Sequence, residues 1–415
     1  MPYAQRPSGR AAVLVAGLLL VCLLALTSAA QSARAADGPG LRRALDRSLA
    51  AAKAKYATAY VHDLTDGRVL YERGPDVPRT PASVQKLFTT AAALRREGAD
   101  ARLVTRVVSE ALPGPSGRIA GNLVLVGGGD PTLDAAALRR LARAVRRAGV
   151  RRVDGSVLGD ESRFDLLRGG PRTGGAYDPD IGGVLGALTV GRGFARGAGP
   201  GLAAARLLAR TLRTSGVRVS GRTATGTTPA DASELARVRS PRLAAIAERT
   251  NAPSDNFYAE VLLKGLGAAD GRPGTTDRGT AVVRAELRRL GVEHGRIVDG
   301  SGLSRGNRVS ARQVVALLRA MHGAPQGPEF EASLAVAGVS GTLRNRMRRT
   351  RAAGACRGKT GTLNRVSTLA GLCRTAEGHV VAFAMLMNDA TVWRAHRAQD
   401  RATSSIAAYL SAPAG

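Results

Sequence analysis

The segment from Thr80 to Leu94 constrains this chain most, because it combines a helical apolar pattern with a serine and a lysine one turn apart. Ser83 and Lys86 share one side of the predicted first turn, and Thr80 and Pro81 suit a helix start. The apolar residues that recur at helical spacing and predict a buried face are Val84, Leu87, Phe88, Ala91 and Leu94.

A serine hydroxyl becomes a good nucleophile only when a base removes its proton. Lys86 could be that base if its charged form is disfavoured, and the helix N-terminus would stabilise an oxyanion at Ser83. Taken alone, Ser-x-x-Lys is weak evidence, because a capping serine beside a solvated lysine explains it more simply.

Two later triplets also carry polar side chains at places where a cleft could use them. Ser254–Asn256 precedes an apolar helical pattern, so it is either an ordinary helix cap or a set of side chains facing a cleft. Lys359–Gly361 lies on a predicted strand. A lysine beside a glycine suits an anion site there, although an exposed edge strand uses lysine too.

The three motifs occur once each, in this order, on a helix start, a loop and a strand, and they resemble the signature set of penicillin-binding proteins and class A β-lactamases. Over most of the mature length, the chain resembles more closely the D-alanyl-D-alanine carboxypeptidase/endopeptidase family, the class C low-molecular-mass penicillin-binding proteins. The segments that carry this resemblance are Pro81–Lys86, Gly127–Leu133, Ser254–Phe257, Asp299–Arg305, Gly338–Leu343 and Lys359–Thr362.

The resemblance implies an α+β architecture, the penicillin-binding protein/β-lactamase-like transpeptidase fold. An antiparallel five-stranded sheet with flanking helices would lie beside a helical lobe, with an inserted α/β domain near the cleft. Residues 37–95 and 241–415 would form the discontinuous catalytic domain, and residues 96–240 the insert; a length of 415 residues suits two domains. The insert is shorter than in the longest family members, which predicts a reduced or missing third insert domain and weakens the expectation of endopeptidase action.

The resemblance also implies the chemistry: a serine D-Ala-D-Ala carboxypeptidase, and a candidate DD-endopeptidase, that acts on peptidoglycan stem peptides through an acyl-enzyme on Ser83. Lys86 would be the general base, and a second cation at Lys359 would help to keep it neutral. The backbone amides of Ser83 and Thr362 would form the oxyanion hole. The expected catalytic residues are Ser83, Lys86, Ser254, Asn256 and Lys359, and the expected substrate-binding residues are Thr360, Gly361, Thr362 and Asp255.

β-Lactams should acylate Ser83 and inhibit the enzyme, because no segment matches the deacylating glutamate loop of class A β-lactamases. No metal or organic cofactor is expected, and the five histidines are scattered. Two alternatives remain: a β-lactamase or esterase on the same scaffold, and a non-catalytic cell-wall-binding protein. Turnover of a chromogenic cephalosporin would separate the first from a carboxypeptidase.

The formal net charge is +29, which permits contact with an anionic cell-wall polymer. A scattered arginine surplus is the simpler interpretation. Nucleic acid is not an expected partner, because aromatic residues make up only 3 % of the chain and no recognisable nucleic-acid-binding module is present.

Residues 1–36 are typical of an export signal. Two arginines, Arg6 and Arg10, precede an apolar run that is short for a spanning helix, and small residues follow it. The mature chain is therefore expected outside the cytoplasm, in the cell wall, periplasmic space or medium, and on the membrane if the signal stays uncleaved. Cys22 is a poor match to a lipoprotein site and would leave with the signal.

Two cysteines then remain, Cys356 and Cys373. An even pair in an exported chain suits a disulfide, and a hairpin turning at Asn364–Arg365 would place the two residues opposite each other. The alternative is a pair of buried free thiols.

Local patterns predict the remaining elements. Gly127–Pro131 is expected to be a tight turn rather than a phosphate cradle, and 223–230 a polar loop. The predicted helices are 41–56, 135–148, 202–215 and 310–321; the predicted strands are 57–62, 68–71, 103–108, 118–126, 150–159, 366–373 and 379–388.

Overall fold

The structure is a computed structural model that describes residues 38–193, 199–268 and 271–410. The predicted export signal, with Cys22, lies outside the described residues. Within the described part of the chain, no helix has both the length and the apolar character needed to cross a membrane.

Helices and strands alternate along the chain. The strands are β1 (Tyr56–Asp63), β2 (Val69–Arg73), β3 (Val104–Ser109), β4 (Arg118–Ile119), β5 (Leu123–Val126), β6 (Arg152–Val153), β7 (Val157–Asp160), β8 (Arg218–Val219), β9 (Thr223–Thr225), β10 (Ser233–Arg239), β11 (Ala335–Val336), β12 (Cys356–Leu363), β13 (Val366–Arg374) and β14 (Val380–Asn388). The helices are α1 (Gly38–Ala51), α2 (Gln85–Glu97), α3 (Ala135–Arg147), α4 (Pro200–Thr214), α5 (Leu243–Asn251), α6 (Asn256–Leu266), α7 (Thr276–Arg289), α8 (Ala311–His322), α9 (Gly327–Ala332) and α10 (Val392–Ala407).

The main sheet has the order β11-β12-β13-β14-β1-β2, and all its neighbouring strands are antiparallel. The predicted five-stranded antiparallel sheet is confirmed, with β11 as an additional short edge strand. That strand pairs with Arg357 and Gly358 of β12. Two residues carry no measurable alternation, so sequence periodicity does not reveal β11.

Helices cover both faces of the main sheet. Because successive side chains of a strand point to opposite faces, Ala384 and Leu386 of β14 join the core with α2 and α8, whereas Phe383 and Met385 join the core with α1 and α10. Burial on both sides explains the nearly continuous apolar run of this strand. Helix α1 ends earlier than predicted, because Lys53 adopts a left-handed φ of 49°.

The β12–β13 hairpin turns at Asn364 and Arg365, as predicted. It places Cys356 opposite Cys373, and their Sγ atoms are 2.05 Å apart in a disulfide. The pairing expected from the register is therefore present, and the free-thiol alternative is wrong.

The region of the predicted insert has a mixed sheet of order β10-β3-β5-β7-β9, a small parallel sheet β4-β6-β8, and a core of its own beneath α3 and α4. Strands 118–126 and 150–159 were each predicted as one element, but each is divided into two. Their glycine turns cross closely: a Cβ atom on Gly155 would lie 2.5 Å from the carbonyl oxygen of Gly121. The α/β character of the insert is confirmed.

Two further predictions about this region need correction. Thr223–Thr225 is strand β9, within the segment predicted as a polar loop, and Ser233–Arg239 forms the edge strand β10, which was not predicted. Strand β9 has only three residues, and β10 exposes the polar residues Ser233, Glu234, Arg237 and Arg239, so neither strand shows a clear apolar alternation.

The tight turn predicted at Gly127–Pro131 begins only at the end of that segment, where the N–H of Leu133 donates to the carbonyl oxygen of Asp130; residues 127–130 are irregular and pack closely on neighbouring backbone. A Cβ atom on Gly127 would lie 2.4 Å from the carbonyl oxygen of Ala187, and one on Gly128 would lie 2.1 Å from that of Val104. These glycines therefore serve close backbone approach.

The environment of His294 should make the free energy of unfolding sensitive to acid. Its ring packs edge-on against Phe88, with centroids 4.3 Å apart, and burial lowers the pKa of His294 to about 4. Below about pH 6.5 the unfolded chain binds a proton that the folded chain refuses, so stability should fall by about 2 kcal/mol between about pH 7.5 and about pH 5. Urea unfolding of wild type and His294→Phe at both pH values should show a smaller loss in the variant; identical losses would contradict this prediction.

Candidate active site

Ser83 lies in a short 3-10 turn, Ala82–Val84, immediately before α2. The prediction that Thr80 caps this helix is wrong. The amide of Asn388 binds both the backbone N–H and the carbonyl oxygen of Thr80, and Ala82 adopts a left-handed φ of 47° that bends the chain before the helix begins. Such a conformation is rare outside glycine and costs free energy, so the surrounding structure must hold it.

Lys86 is fully buried and reaches back to the serine. Its Nζ lies 2.9 Å from Ser83 Oγ, 2.6 Å from Asn256 Oδ1 and 2.7 Å from the carbonyl oxygen of Ser301. The last two atoms are pure acceptors, so the amine must donate a hydrogen to each. A neutral amine has two hydrogens and one lone pair, and the lone pair would then face the hydroxyl of Ser83.

Burial lowers the pKa of Lys86 to about 8, against the opposing effect of Asp299, Glu260 and Asp255. About one tenth of the Lys86 side chains would therefore be neutral at pH 7. The expected reason for neutrality needs correction, because desolvation rather than the charge of Lys359 is the cause at Lys86. In the other direction, burial and then the charge of Lys86 hold the pKa of Lys359 well below its usual range.

Two buried carboxyl groups support the Ser301 carbonyl, and sequence reasoning gave neither of them a role. Glu260 Oε1 accepts hydrogen bonds from the backbone N–H groups of Gly300 and Ser301, at 3.1 and 2.7 Å. Asp299 accepts from Gly302 at 2.8 Å and from other groups of its own loop. The usable signal was the spacing of Glu260, one helical turn after Asn256 on α6.

The same two groups resist ionisation. Burial, followed by the neighbouring Asp299, raises the pKa of Glu260 to about 7. Burial also raises the pKa of Asp299. Because this pair carries less negative charge than two ionised carboxylates would, it raises the pKa of Lys86 less.

The Ser254–Asn256 loop serves as a helix cap and also reaches the lysine. Asp255 caps α6 by accepting the N–H of Tyr258 at 3.1 Å. Asn256 accepts from Lys86 and donates through Nδ2 to the carbonyl oxygen of Asp180 at 2.7 Å, which fixes the orientation of its amide. Ser254 has a left-handed φ of 68°.

Lys359 lies on β12, fully buried, and joins the second triplet to the third. Its Nζ donates to Ser254 Oγ at 2.8 Å and to the carbonyl oxygen of Thr360 at 2.7 Å. Thr360 Oγ1 lies 2.8 Å from Thr342 Oγ1, so the Gly338–Leu343 segment also reaches this strand. Beyond Gly358, β11 no longer pairs with β12.

Gly361 brings β12 against the serine turn. A Cβ atom here would lie 2.9 Å from the backbone nitrogen of Ser83, 2.7 Å from the carbonyl oxygen of Pro81 and 2.2 Å from Thr368 Oγ1. Any side chain would push the strand and the turn apart. The next residue, Thr362, is exposed.

The structure thus forms two hydrogen-bonded groups from the five predicted catalytic residues. Ser83, Lys86 and Asn256 form one, and Ser254 with Lys359 forms the other. Within the described ranges, the carboxyl and imidazole groups that could share a cation are those of Asp63, Asp66 and His379. Arg68 donates to Asp66 and His379 contacts Asp63, so these groups already have hydrogen-bonding partners.

A family model described as the D-Ala-D-Ala carboxypeptidase 3 (S13) family matches residues 41–173 and 188–409. The chain is 34 % identical to a D-alanyl-D-alanine carboxypeptidase of Actinomadura sp. (strain R39), over 92 % of this chain and 88 % of that protein. It is 33 % identical to carboxypeptidase DacB of Mycolicibacterium smegmatis, over 84 % of this chain and 81 % of the relative.

Among solved structures, penicillin binding protein 4 (DacB) of Haemophilus influenzae superposes with a TM-score of 0.75 at 20 % identity, over 86 % of this chain and 98 % of that one. The fold is therefore the penicillin-binding protein/β-lactamase-like transpeptidase fold. The chain belongs to the D-Ala-D-Ala carboxypeptidase 3 (S13) family and is a hydrolase of the serine peptidase class.

Proposed function

We propose that this protein is a serine D-Ala-D-Ala carboxypeptidase that acts on peptidoglycan stem peptides. The observation that carries the proposal is the geometry of Lys86, whose two acceptor contacts leave its lone pair for Ser83 Oγ at 2.9 Å. A base in hydrogen-bond reach of a nucleophile, itself oriented by a third group, is the pattern that activates a serine.

In the proposed reaction, Ser83 attacks the carbonyl carbon between the two terminal D-alanines, and Lys86 takes the hydroxyl proton. The oxyanion is stabilised by the backbone N–H groups of Ser83 and Thr362. As the peptide bond breaks, Ser254 relays the proton taken by Lys86 to the nitrogen of the leaving D-alanine. Water then hydrolyses the ester, which releases the shortened peptide and restores the Ser83 hydroxyl. No step requires a metal or organic cofactor.

Substrate binding follows from the groups that remain open. The terminal carboxylate would bind near Lys359, assisted by Thr360 and Thr362. Its negative charge would favour the protonated form of Lys359, whose ammonium group has a hydrogen left after its two contacts. The peptide would lie along the open edge of β12 beside Gly361. Asn256 still has one amide hydrogen for the substrate, and Asp255 holds the loop that carries it.

β-Lactams are proposed inhibitors, since they resemble the D-Ala-D-Ala end and would acylate Ser83. A structure of the Haemophilus influenzae protein is a complex with a β-lactam, which supports this proposal through the shared fold. We also propose that residues 37–95 and 241–415 form the catalytic domain, that 96–240 form the insert, and that 1–36 export the protein. The basic surplus would permit contact with anionic wall polymer.

The test is release of D-alanine from a soluble stem pentapeptide that ends in D-Ala-D-Ala, with Ser83→Ala as the matched control. The proposal expects release by wild type and none above background by the variant. Cleavage of a cross-linked stem-peptide dimer, measured in parallel, would reveal endopeptidase activity. Hydrolysis of a chromogenic cephalosporin without D-alanine release would instead establish the β-lactamase alternative, and peptidoglycan binding without any hydrolysis would establish the wall-binding one.

A further inference from the structure

The segment that carries Ser254 and Asn256 is contacted by residues of the predicted insert. Residues 161–193, within the predicted insert, run along α6 and contact it at several points. Lys264, near the end of α6, donates from its buried Nζ to Asp165 Oδ1 at 2.5 Å and to the carbonyl oxygen of Leu167 at 2.8 Å. The insert segment therefore anchors the far end of α6.

At the start of α6 the contact is closer. Asn256 Nδ2 donates to the carbonyl oxygen of Asp180 at 2.7 Å. Gly183 packs so tightly on the Phe257 ring that a Cβ atom would lie 2.5 Å from it. The insert thus contacts directly the asparagine that binds Lys86.

Arg192 supplies the charged contacts between the insert segment and α6. Its guanidinium group forms a two-pronged ion pair with both carboxylate oxygens of Asp255 and donates to the carbonyl oxygen of Gly182 at 3.1 Å. It also lies 5.4 and 5.5 Å from the ring centres of Phe257 and Tyr258. The backbone of Arg192 has a left-handed φ of 66°, a conformation that persists only where contacts enforce it.

We infer that Arg192 is a positioning residue for the reaction: acting through Asp255, it holds Ser254 and Asn256 in the geometry that acylation of Ser83 requires. The insert then completes the active site rather than merely adjoining it. This inference rests on the proposed function.

Arg192 also has an electrostatic role. Asp255 is one of three acidic groups whose charge acts on Lys86, the others being Glu260 and Asp299; Lys359 is the nearby cation. Arg192 neutralises Asp255. Without it, the unpaired carboxylate would raise the pKa of Lys86 and reduce the fraction of neutral base at a given pH.

The test compares Arg192→Gln with wild type in the second-order rate of acylation by benzylpenicillin, measured across pH. We expect the acylation rate to fall roughly 10- to 100-fold. The acid limb of the pH–rate profile should shift to higher pH. A merely structural role would not move that limb. The matched control is Arg152→Gln, which removes an exposed ion pair to Asp154 in the same insert and should change neither quantity.

A double-mutant cycle adds a second measurement. Asp255→Asn keeps an oxygen that can cap α6 but removes the charge. Arg192→Gln should therefore shift the acid limb when Asp255 is present and leave it in place in the Asp255→Asn background. Arg192→Lys should recover part of the rate, which keeps the test valid if the glutamine variant folds poorly.

Unchanged acylation and an unchanged pH profile in Arg192→Gln, or equal shifts in both Asp255 backgrounds, would overturn the inference. Those results would leave the proposed function intact. If wild type itself forms no acyl-enzyme, the proposed function fails first.

Discussion

Replacing Lys86 with methionine is expected to slow acylation of Ser83 by about 10²- to 10⁴-fold, the contribution of a positioned general base. Methionine nearly preserves the buried volume, but it removes the lone pair that faces Ser83 and leaves the acceptors on Asn256 and Ser301 without their donor. The measurement is the rate at which the acyl adduct forms with a β-lactam in excess.

The pH dependence gives this prediction a second signature. Because the pKa of Lys86 is lowered to about 8 and the neutral form is the base, the wild-type rate should rise as pH increases through that value. The residual rate of Lys86→Met should lack this limb. An exposed lysine, Lys53, provides the control: Lys53→Met should keep both rate and limb. A Lys86→Met rate within a few-fold of wild type would remove Lys86 as the base.

Gly361→Ala is expected to reduce acylation by about 10²-fold or more, because a displacement of about 1 Å at a reacting centre has that effect. The new methyl group would meet the backbone nitrogen of Ser83 at 2.9 Å and the Pro81 carbonyl oxygen at 2.7 Å. Strand and serine turn must separate, which would disrupt the alignment of the proposed oxyanion hole with the nucleophile. Acylation rates and thermal unfolding should be measured together.

A matched control for this prediction is Gly121→Ala, since a Cβ atom at Gly121 would meet nothing within 4 Å. That variant should acylate at the wild-type rate. Wild-type acylation by Gly361→Ala would show that β12 tolerates displacement, and that its close approach to Ser83 is dispensable.

Much of the main sheet could be predicted because its strands are set by local sequence patterns. The unbroken apolar run of β14 reflects burial on both faces, and the hairpin between Cys356 and Cys373 follows from chain geometry around one turn. Strands β9 and β10 could not be predicted from the same signals. Strand β9 has only three residues and β10 exposes mainly polar side chains, so tertiary pairing rather than an apolar pattern makes them strands.

For the candidate site, spacing along the chain indicated the groups but not their arrangement. The motifs containing Ser83 and Lys359 were recognisable, but Ala82 is left-handed where a Thr80 cap was expected. Distant strands bind its neighbours: Asn388 of β14 binds the backbone of Thr80, and Thr368 of β13 binds the carbonyl oxygen of Pro81. Glu260 acts through Gly300 and Ser301, forty residues away in sequence. Arg192 contacts Asp255 from a different region of the chain, and no local pattern indicates that pairing.

The central claim is that Ser83 is a working acyl-serine nucleophile. It is tested most directly by the intact mass of the signal-less protein after incubation with benzylpenicillin, beside Ser83→Ala. The structure predicts a stoichiometric mass gain equal to one drug molecule in wild type and no gain in the variant. An unmodified wild-type mass with the drug left intact, or an equal gain in Ser83→Ala, would contradict the claim.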